Sequence, residues 1–128
     1  MPGSTQVKKI LIVDDEEPIR VFLRSNLKNE NINILEASNG EDGLSLALKE
    51  RPQLILLDVI MPKMHGIEVL NRLRGDEWGK NVHVILVTNY AQDPRVVEAI
   101  DKDLCELLEK GRSTIEDIVS RVKDILEI

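Results

Sequence analysis

A chain of 128 residues with 42% hydrophobic content carries enough apolar surface for one packed domain. Its 17 Lys and Arg against 23 Asp and Glu leave a net charge of −6, and no basic run appears, which argues against a nucleic-acid backbone as partner. Phe22, Trp78 and Tyr90 are too few aromatics for a base-stacking platform, no apolar stretch reaches the ~18 residues of a membrane span, and the lone Cys105 excludes an intrachain disulfide and suits a reducing cytoplasm.

The start of the chain lacks the apolar core of a secretory signal. Residues 1–7 read as a flexible tail, and a single domain is expected over 8–128. Lys9–Val13 is the first strand candidate and stops in the acidic run Asp14-Asp15-Glu16-Glu17. Pro18 to Lys28 places Ile19, Phe22, Leu23 and Leu27 at helical spacing. Ile32–Ala37 follows as a strand. Asn39 then caps a helix that runs to Glu50, with Leu44, Ala47 and Leu48 inward and Pro52 beyond its end. Leu54–Leu57 is apolar throughout, as a central strand covered on both faces should be, and it ends in Asp58. Gly66 to Arg74 offers Ile67, Leu70 and Leu73 to a helix face. Val82–Val87 is a further apolar strand and leads to Thr88-Asn89. Asp93-Pro94 supplies a cap and a first-turn proline ahead of Val96, Val97 and Ile100. Glu106–Glu109 is the last strand candidate and ends in Lys110. Ser113-Thr114-Ile115-Glu116 reads as a capping box that opens a helix carrying Ile115, Ile118, Val119, Val122, Ile125 and Leu126.

Five strand–helix pairs in strict alternation imply parallel strands joined by right-handed crossovers. The predicted fold is an open α/β sheet with helices on both faces. No linker, repeat or second domain is visible.

In such sheets ligands bind beyond the carboxyl ends of the strands. Asp14, Asp15, Asp58, Thr88 and Lys110 all fall there. Buried strands that end in acid are costly without a compensating cation, which predicts a Mg²⁺ site. Asp58 is then the carboxylate placed to act as a nucleophile and form an acyl phosphate. A lysine can neutralise phosphoryl oxygens as a point charge, and a threonine hydroxyl can donate to another. Each residue alone has a plainer reading. An Asp pair before a helix is an ordinary cap, and a single Asp, Thr or Lys after a strand is an ordinary turn or solvated residue. Their convergence on one edge of one sheet favours phosphoryl chemistry, which needs mainly positioning and charge neutralisation.

With those residues in place, the chain resembles the receiver domains of bacterial two-component response regulators from about Lys8 to Ile128. The resemblance rests on Ile10-Leu11-Ile12-Val13-Asp14-Asp15-Glu16 and on Leu56-Leu57-Asp58-Val59-Ile60-Met61-Pro62-Lys63-Met64-His65-Gly66. It implies a flavodoxin-like, doubly wound five-stranded parallel sheet of order 2-1-3-4-5 with five helices; that order comes with the family. It implies that Asp58 accepts a phosphoryl group from a sensor histidine kinase or phosphotransfer protein. Mg²⁺ would be held by Asp14, Asp15, Asp58 and the main-chain carbonyl of Ile60. Thr88 and Lys110 would contact the phosphoryl oxygens. An unknown output protein would read a change around the fourth helix and fifth strand, and a homodimer through the fourth helix, fifth strand and fifth helix is possible. The resemblance implies a phosphoacceptor that assists its own phosphorylation and dephosphorylation, not an enzyme in the ordinary sense.

Some positions depart from the family pattern. Leu107 stands where an aromatic is usual, and Tyr90 is placed to guard the site entrance instead. Gly111 follows the lysine where proline is common. A cis bond before a non-proline residue costs about 2.5–4 kcal/mol, so the isomer there is left open. Asp103 replaces a frequent glycine. His65 replaces a common acid and is expected to face solvent, while His83 is expected to face a helix or make a satisfied hydrogen bond. Leu107 and Gly111 keep open an alternative, a pseudo-receiver that binds partners without phosphorylation. A haloacid-dehalogenase-type phosphohydrolase would need an Asp where Ile60 stands. A flavin binder would need a hydroxyl-rich loop where Asp14 and Asp15 stand.

Overall fold

The computed structural model describes residues 7–128. Of the tail expected at residues 1–7, all but Val7 lies outside the described residues. Five parallel strands are β1 (Lys8–Val13), β2 (Ile32–Ala37), β3 (Leu54–Leu57), β4 (His83–Thr88) and β5 (Glu106–Glu109). They alternate with α1 (Glu17–Leu27), α2 (Gly40–Glu50), α3 (Gly66–Arg74), α4 (Pro94–Asp101) and α5 (Ile115–Leu126). The sheet order is β2-β1-β3-β4-β5, with every neighbouring pair parallel, as expected. No helix among the described residues is long and apolar enough to cross a membrane.

The period-2 alternation of the strands divides the core into two layers. Leu11, Val13, Ile55, Leu57, Val84 and Leu86 face α2, α3 and α4, meeting Ala47, Leu70, Leu73, Val96 and Ala99. Ile10, Ile12, Leu54, Leu56, Ile85 and Val87 face α1 and α5, meeting Leu23, Leu27, Ile118, Val122 and Leu126. Strands β1, β3 and β4 are covered on both sides, which is why they read as unbroken apolar runs.

Several boundaries and faces differ from the sequence expectation. Strand β4 starts at His83 and includes Thr88, one residue later than expected at either end, because the ladder to β3 begins at Leu54↔His83. Leu48 was expected inward but is 39% exposed, and Phe22 and Val97, read among the apolar residues of their helices, are 56% and 44% exposed. In α1 the buried ridge runs through Leu23 and Leu27, and Phe22 lies one step around the helix from it. In α2 the close approach to β1 is made by Gly43 and Ala47, with Leu46 rather than Leu48 packed on the core. In α4, Val96 and Ala99 fill that place. The α5 cap is Thr114 with Asp117, not Ser113 with Glu116: the Thr114 hydroxyl accepts from Asp117 N–H at 3.1 Å, and Asp117 accepts from Thr114 N–H at 2.8 Å.

Candidate functional site

Three charged residues sit just past their strands yet remain bound to the ladder. Asp14 N–H donates to Ala37 O at 3.1 Å, Asp58 N–H to Val13 O at 2.9 Å, and Lys110 N–H to Thr88 O at 3.0 Å. Parallel register therefore delivers them to one edge with their main chains fixed. Asp14, Asp58 and Thr88 are 3%, 7% and 0% exposed. Lys110 Nζ lies 3.0 Å from Asp14 Oδ2, 3.3 Å from Asp58 Oδ2 and 3.5 Å from Glu16 Oε2.

Two buried carboxylates thus share one ammonium. Burial pushes the Asp58 carboxyl above its ordinary value and the charge of Asp14 adds to this, while Lys110 and the Val59 N–H oppose it. Burial pulls the Lys110 ammonium down, but Asp14 and Asp58 outweigh that and leave it above its ordinary value. The lysine does not offset the burial of Asp58. The site carries more acid than its own cation balances.

The structure brings Asp14, Glu16 and Asp58 together, each offering a carboxylate oxygen within 4.8 Å of the others. Asp15 shares the turn but is exposed and lies outside that group. Glu16 was legible in the sequence only as part of an acidic run. Its approach follows from the turn: Asp14 Oδ1 accepts from Glu16 N–H at 2.9 Å and folds the chain back over the edge. Thr88 Oγ1 accepts from Tyr90 N–H at 3.0 Å, which fixes the hydroxyl. Tyr90 is 50% exposed and Ile60 is 45% exposed. Leu107 is half-buried and packs on the α2, α3 and α4 side of the core. The Lys110–Gly111 bond is trans, since the described residues contain no cis peptide bond.

The loop after Asp58 is clamped by two glycines. A Cβ on Gly66 would lie 2.1 Å from Asp58 O, and Gly66 N–H donates to Val59 O at 2.6 Å. A Cβ on Gly40 would lie 2.0 Å from Met64 O, so the Ser38-Asn39-Gly40 turn does more than cap α2. His65 does not simply face solvent: it is half-buried and caps α3, its Nδ1 accepting from Ile67 N–H at 3.1 Å. Burial, with nearby Arg95, lowers its pKa. His83 makes the satisfied hydrogen bond expected of it, to Glu106 at 3.1 Å. Burial pushes the Cys105 thiol up to about 11, so it is unreactive at neutral pH.

The family model of the response regulator receiver domain matches residues 10–123. The chain belongs to this family. The receiver domain is 36% identical over 122 residues to sporulation initiation phosphotransferase F of Bacillus subtilis, covering 94% of this chain and 95% of that one. It is 37% identical over 118 residues to histidine kinase P4 of Formosa agariphila, covering 92% of this chain but only 8% of that protein. Among solved structures, a CheY-like receiver domain from Methanospirillum hungatei superposes with a TM-score of 0.83 at 26% identity, over 95% of each chain. The receiver domain is thus homologous to phosphorelay response regulators, and a phosphoacceptor role fits it.

Proposed function

We propose that Asp58 is the phosphoacceptor of this receiver domain, supplied by a sensor histidine kinase or phosphotransfer protein. The observation that carries the reading is a buried carboxylate, fixed by the β1 ladder, that shares Lys110 with Asp14 at the sheet edge where the buried Thr88 also stands. An Asp58 oxygen attacks phosphorus and the bond to the donor breaks, leaving an acyl phosphate. Lys110 neutralises charge on the phosphoryl oxygens, and the Thr88 hydroxyl donates to one of them.

The donor set fits a hard divalent cation: carboxylates in surplus over the single lysine, with oxygens within 4.8 Å. Asp14, Asp15, Asp58 and the Ile60 carbonyl would hold Mg²⁺, with Glu16 as a further carboxylate at hand. Mg²⁺, when bound, supplies charge neutralisation for the transferring group. The output surface is the face of α4, β5 and α5, open to an effector protein or a second copy. Several of its charges pair within the chain, Lys102 with Glu98 at 2.7 Å, Arg95 with Asp93 at 3.0 Å and Arg121 with Glu106. The setting is the cytoplasm.

The test is intact mass after incubation with acetyl phosphate, with and without Mg²⁺. The expected result is a Mg²⁺-dependent gain of one phosphoryl group that Asp58→Asn abolishes. A gain that persists in Asp58→Asn, or no gain from either acetyl phosphate or a phosphorylated histidine donor, overturns the reading.

A further inference from the structure

Besides Lys110, a second cation reaches the turn that carries Asp14 and Glu16. Arg20 on α1 donates from Nη1 to the main-chain oxygen of Asp14 at 2.7 Å. Its Nε lies 3.4 Å from Glu36 Oε1 on β2, and its side chain is 16% exposed. Glu36 also pairs with Arg24, one turn further along α1.

The Asp14 carbonyl needs such a partner. Strand β1 has ended, and the preceding carbonyl, that of Val13, is the one that accepts from Asp58 N–H. The other polar atoms of Asp14 are assigned: its N–H to Ala37, Oδ1 to Glu16 N–H and Oδ2 to Lys110. Asp14 is 3% exposed, so an unpaired carbonyl there would be an orphan. A planar guanidinium can serve a carbonyl with one nitrogen and a carboxylate with another, which an ammonium point charge does less well. Arg20 thereby ties the β1–α1 turn to the β2 edge strand.

We infer that Arg20 is a positioning residue of the acidic turn: by holding the Asp14 carbonyl against Glu36 it fixes how Asp15 and Glu16 leave β1, and so sets the affinity of the site for a divalent cation. The inference rests on the reading above that these carboxylates take Mg²⁺. Two effects oppose each other. The guanidinium charge repels a cation, and the hydrogen bond organises its ligands. Partners that orient metal ligands from behind matter by about ten-fold or more in affinity, so organisation should prevail.

The test is a calorimetric Mg²⁺ titration of the intact chain and its variants, beside thermal melts in chelator. Arg20→Met should weaken Mg²⁺ by about ten-fold. Arg20→Lys, which keeps the charge but loses the fork, should fall between it and the parent. Arg24→Met also removes a positive charge from Glu36 but touches nothing on Asp14, and should leave the affinity unchanged. A parent chain that binds no Mg²⁺ overturns the metal reading itself. A parent that binds, with Arg20→Lys and Arg20→Met unchanged or tighter, overturns this inference alone. An equal loss in Arg24→Met also overturns it, because bulk charge on α1 then explains the effect. A merely structural Arg20 would lower the melting temperature and leave the affinity untouched. If Arg20→Met does not fold, the Arg20→Lys comparison decides.

Discussion

At the carboxyl edge of the sheet, Asp14 and Asp58 are nearly buried and share one lysine. At the amino edge, Glu106 on β5 is bracketed by His83 on β4 and Arg121 on α5. The hydrogen bond from Arg121 holds the Glu106 carboxyl below its ordinary value, burial opposes this, and His83 assists. Asp58 is displaced the other way by burial. The same sheet therefore places balanced charge at one edge and unbalanced charge at the other. A buried acid with a raised pKa is held at that edge by the apolar strands behind it, and such perturbed groups cluster at functional sites.

The comparison can be broken most severely at Lys110. Lys110→Met removes the one cation from two buried carboxylates and should cost roughly 3–5 kcal/mol in urea unfolding at neutral pH without metal. Glu106→Gln, at an edge where the charges are less buried, should cost about 1 kcal/mol. Equal losses would show that the two edges do not differ. On the proposed metal reading, millimolar Mg²⁺ should restore part of the stability of Lys110→Met, because a ligand of the folded state alone stabilises it.

A finer test uses pH in metal-free buffer. Asp58 has a folded pKa above its ordinary 3.8, so it binds its proton more tightly folded than unfolded. Its contribution is fully present below 3.8 and is lost as pH rises through the raised folded value. Asp58→Asn should therefore be more stable than the parent at neutral pH, with the gap closing as pH falls toward 3.8. Glu106 has a folded pKa below its ordinary 4.5. Its contribution is present above 4.5 and is lost as pH falls through the lowered value, so Glu106→Gln should lose its deficit on acidification. Denaturation curves from neutral pH through the carboxylate range measure both. Slopes of the same sign would sink the comparison.

Much of this was legible because burial on two faces leaves no choice of residue. Leu54–Leu57 and the run from Ile10 to Val13 could be little else but central strands, and the acids that end them mark the edge. What misled was phase. The segment Ser113-Thr114-Ile115-Glu116-Asp117 holds a hydroxyl three residues before an acid in two registers, and only the buried line Ile118, Val122 and Leu126 selects the second. Phe22 fell into the apolar spacing beside Leu23, yet one residue step turns a helical side chain by about 100° and leaves it exposed. Other features leave no local signature. Nothing in the acidic run tells that Glu16 joins Asp14 and Asp58 while the exposed Asp15 stays outside that group. Arg20 lies between Ile19 and Val21 as an unremarkable helix cation, and nothing local records that it reaches both the Asp14 carbonyl and Glu36 on β2. Gly40 and Gly66 are needed by contacts with a loop far off in the chain or across a turn, which no propensity records.

The smallest expected effects lie at the two ends of β5, where one replacement should act with opposite signs. Asp103, before the strand, holds a left-handed backbone with φ of 56°, which explains why glycine is at home there. Asp103→Ala puts a residue with no local side-chain hydrogen bonding into that conformation and should cost about 1 kcal/mol. Gly111, after Lys110, has no strained φ, and a Cβ added there would meet nothing within 4 Å. Gly111→Ala should therefore stabilise by about 0.4–1 kcal/mol, by restricting the unfolded chain rather than by any new contact. Paired urea curves resolve the two, and a loss at Gly111 would mean that its backbone freedom serves Lys110. Phosphorylation kinetics of Gly111→Ala would then separate the roles: a stabilised variant with an unchanged rate leaves the position outside the chemistry, and a stabilised variant with a slowed rate ties the mobility of this loop to the placement of the lysine.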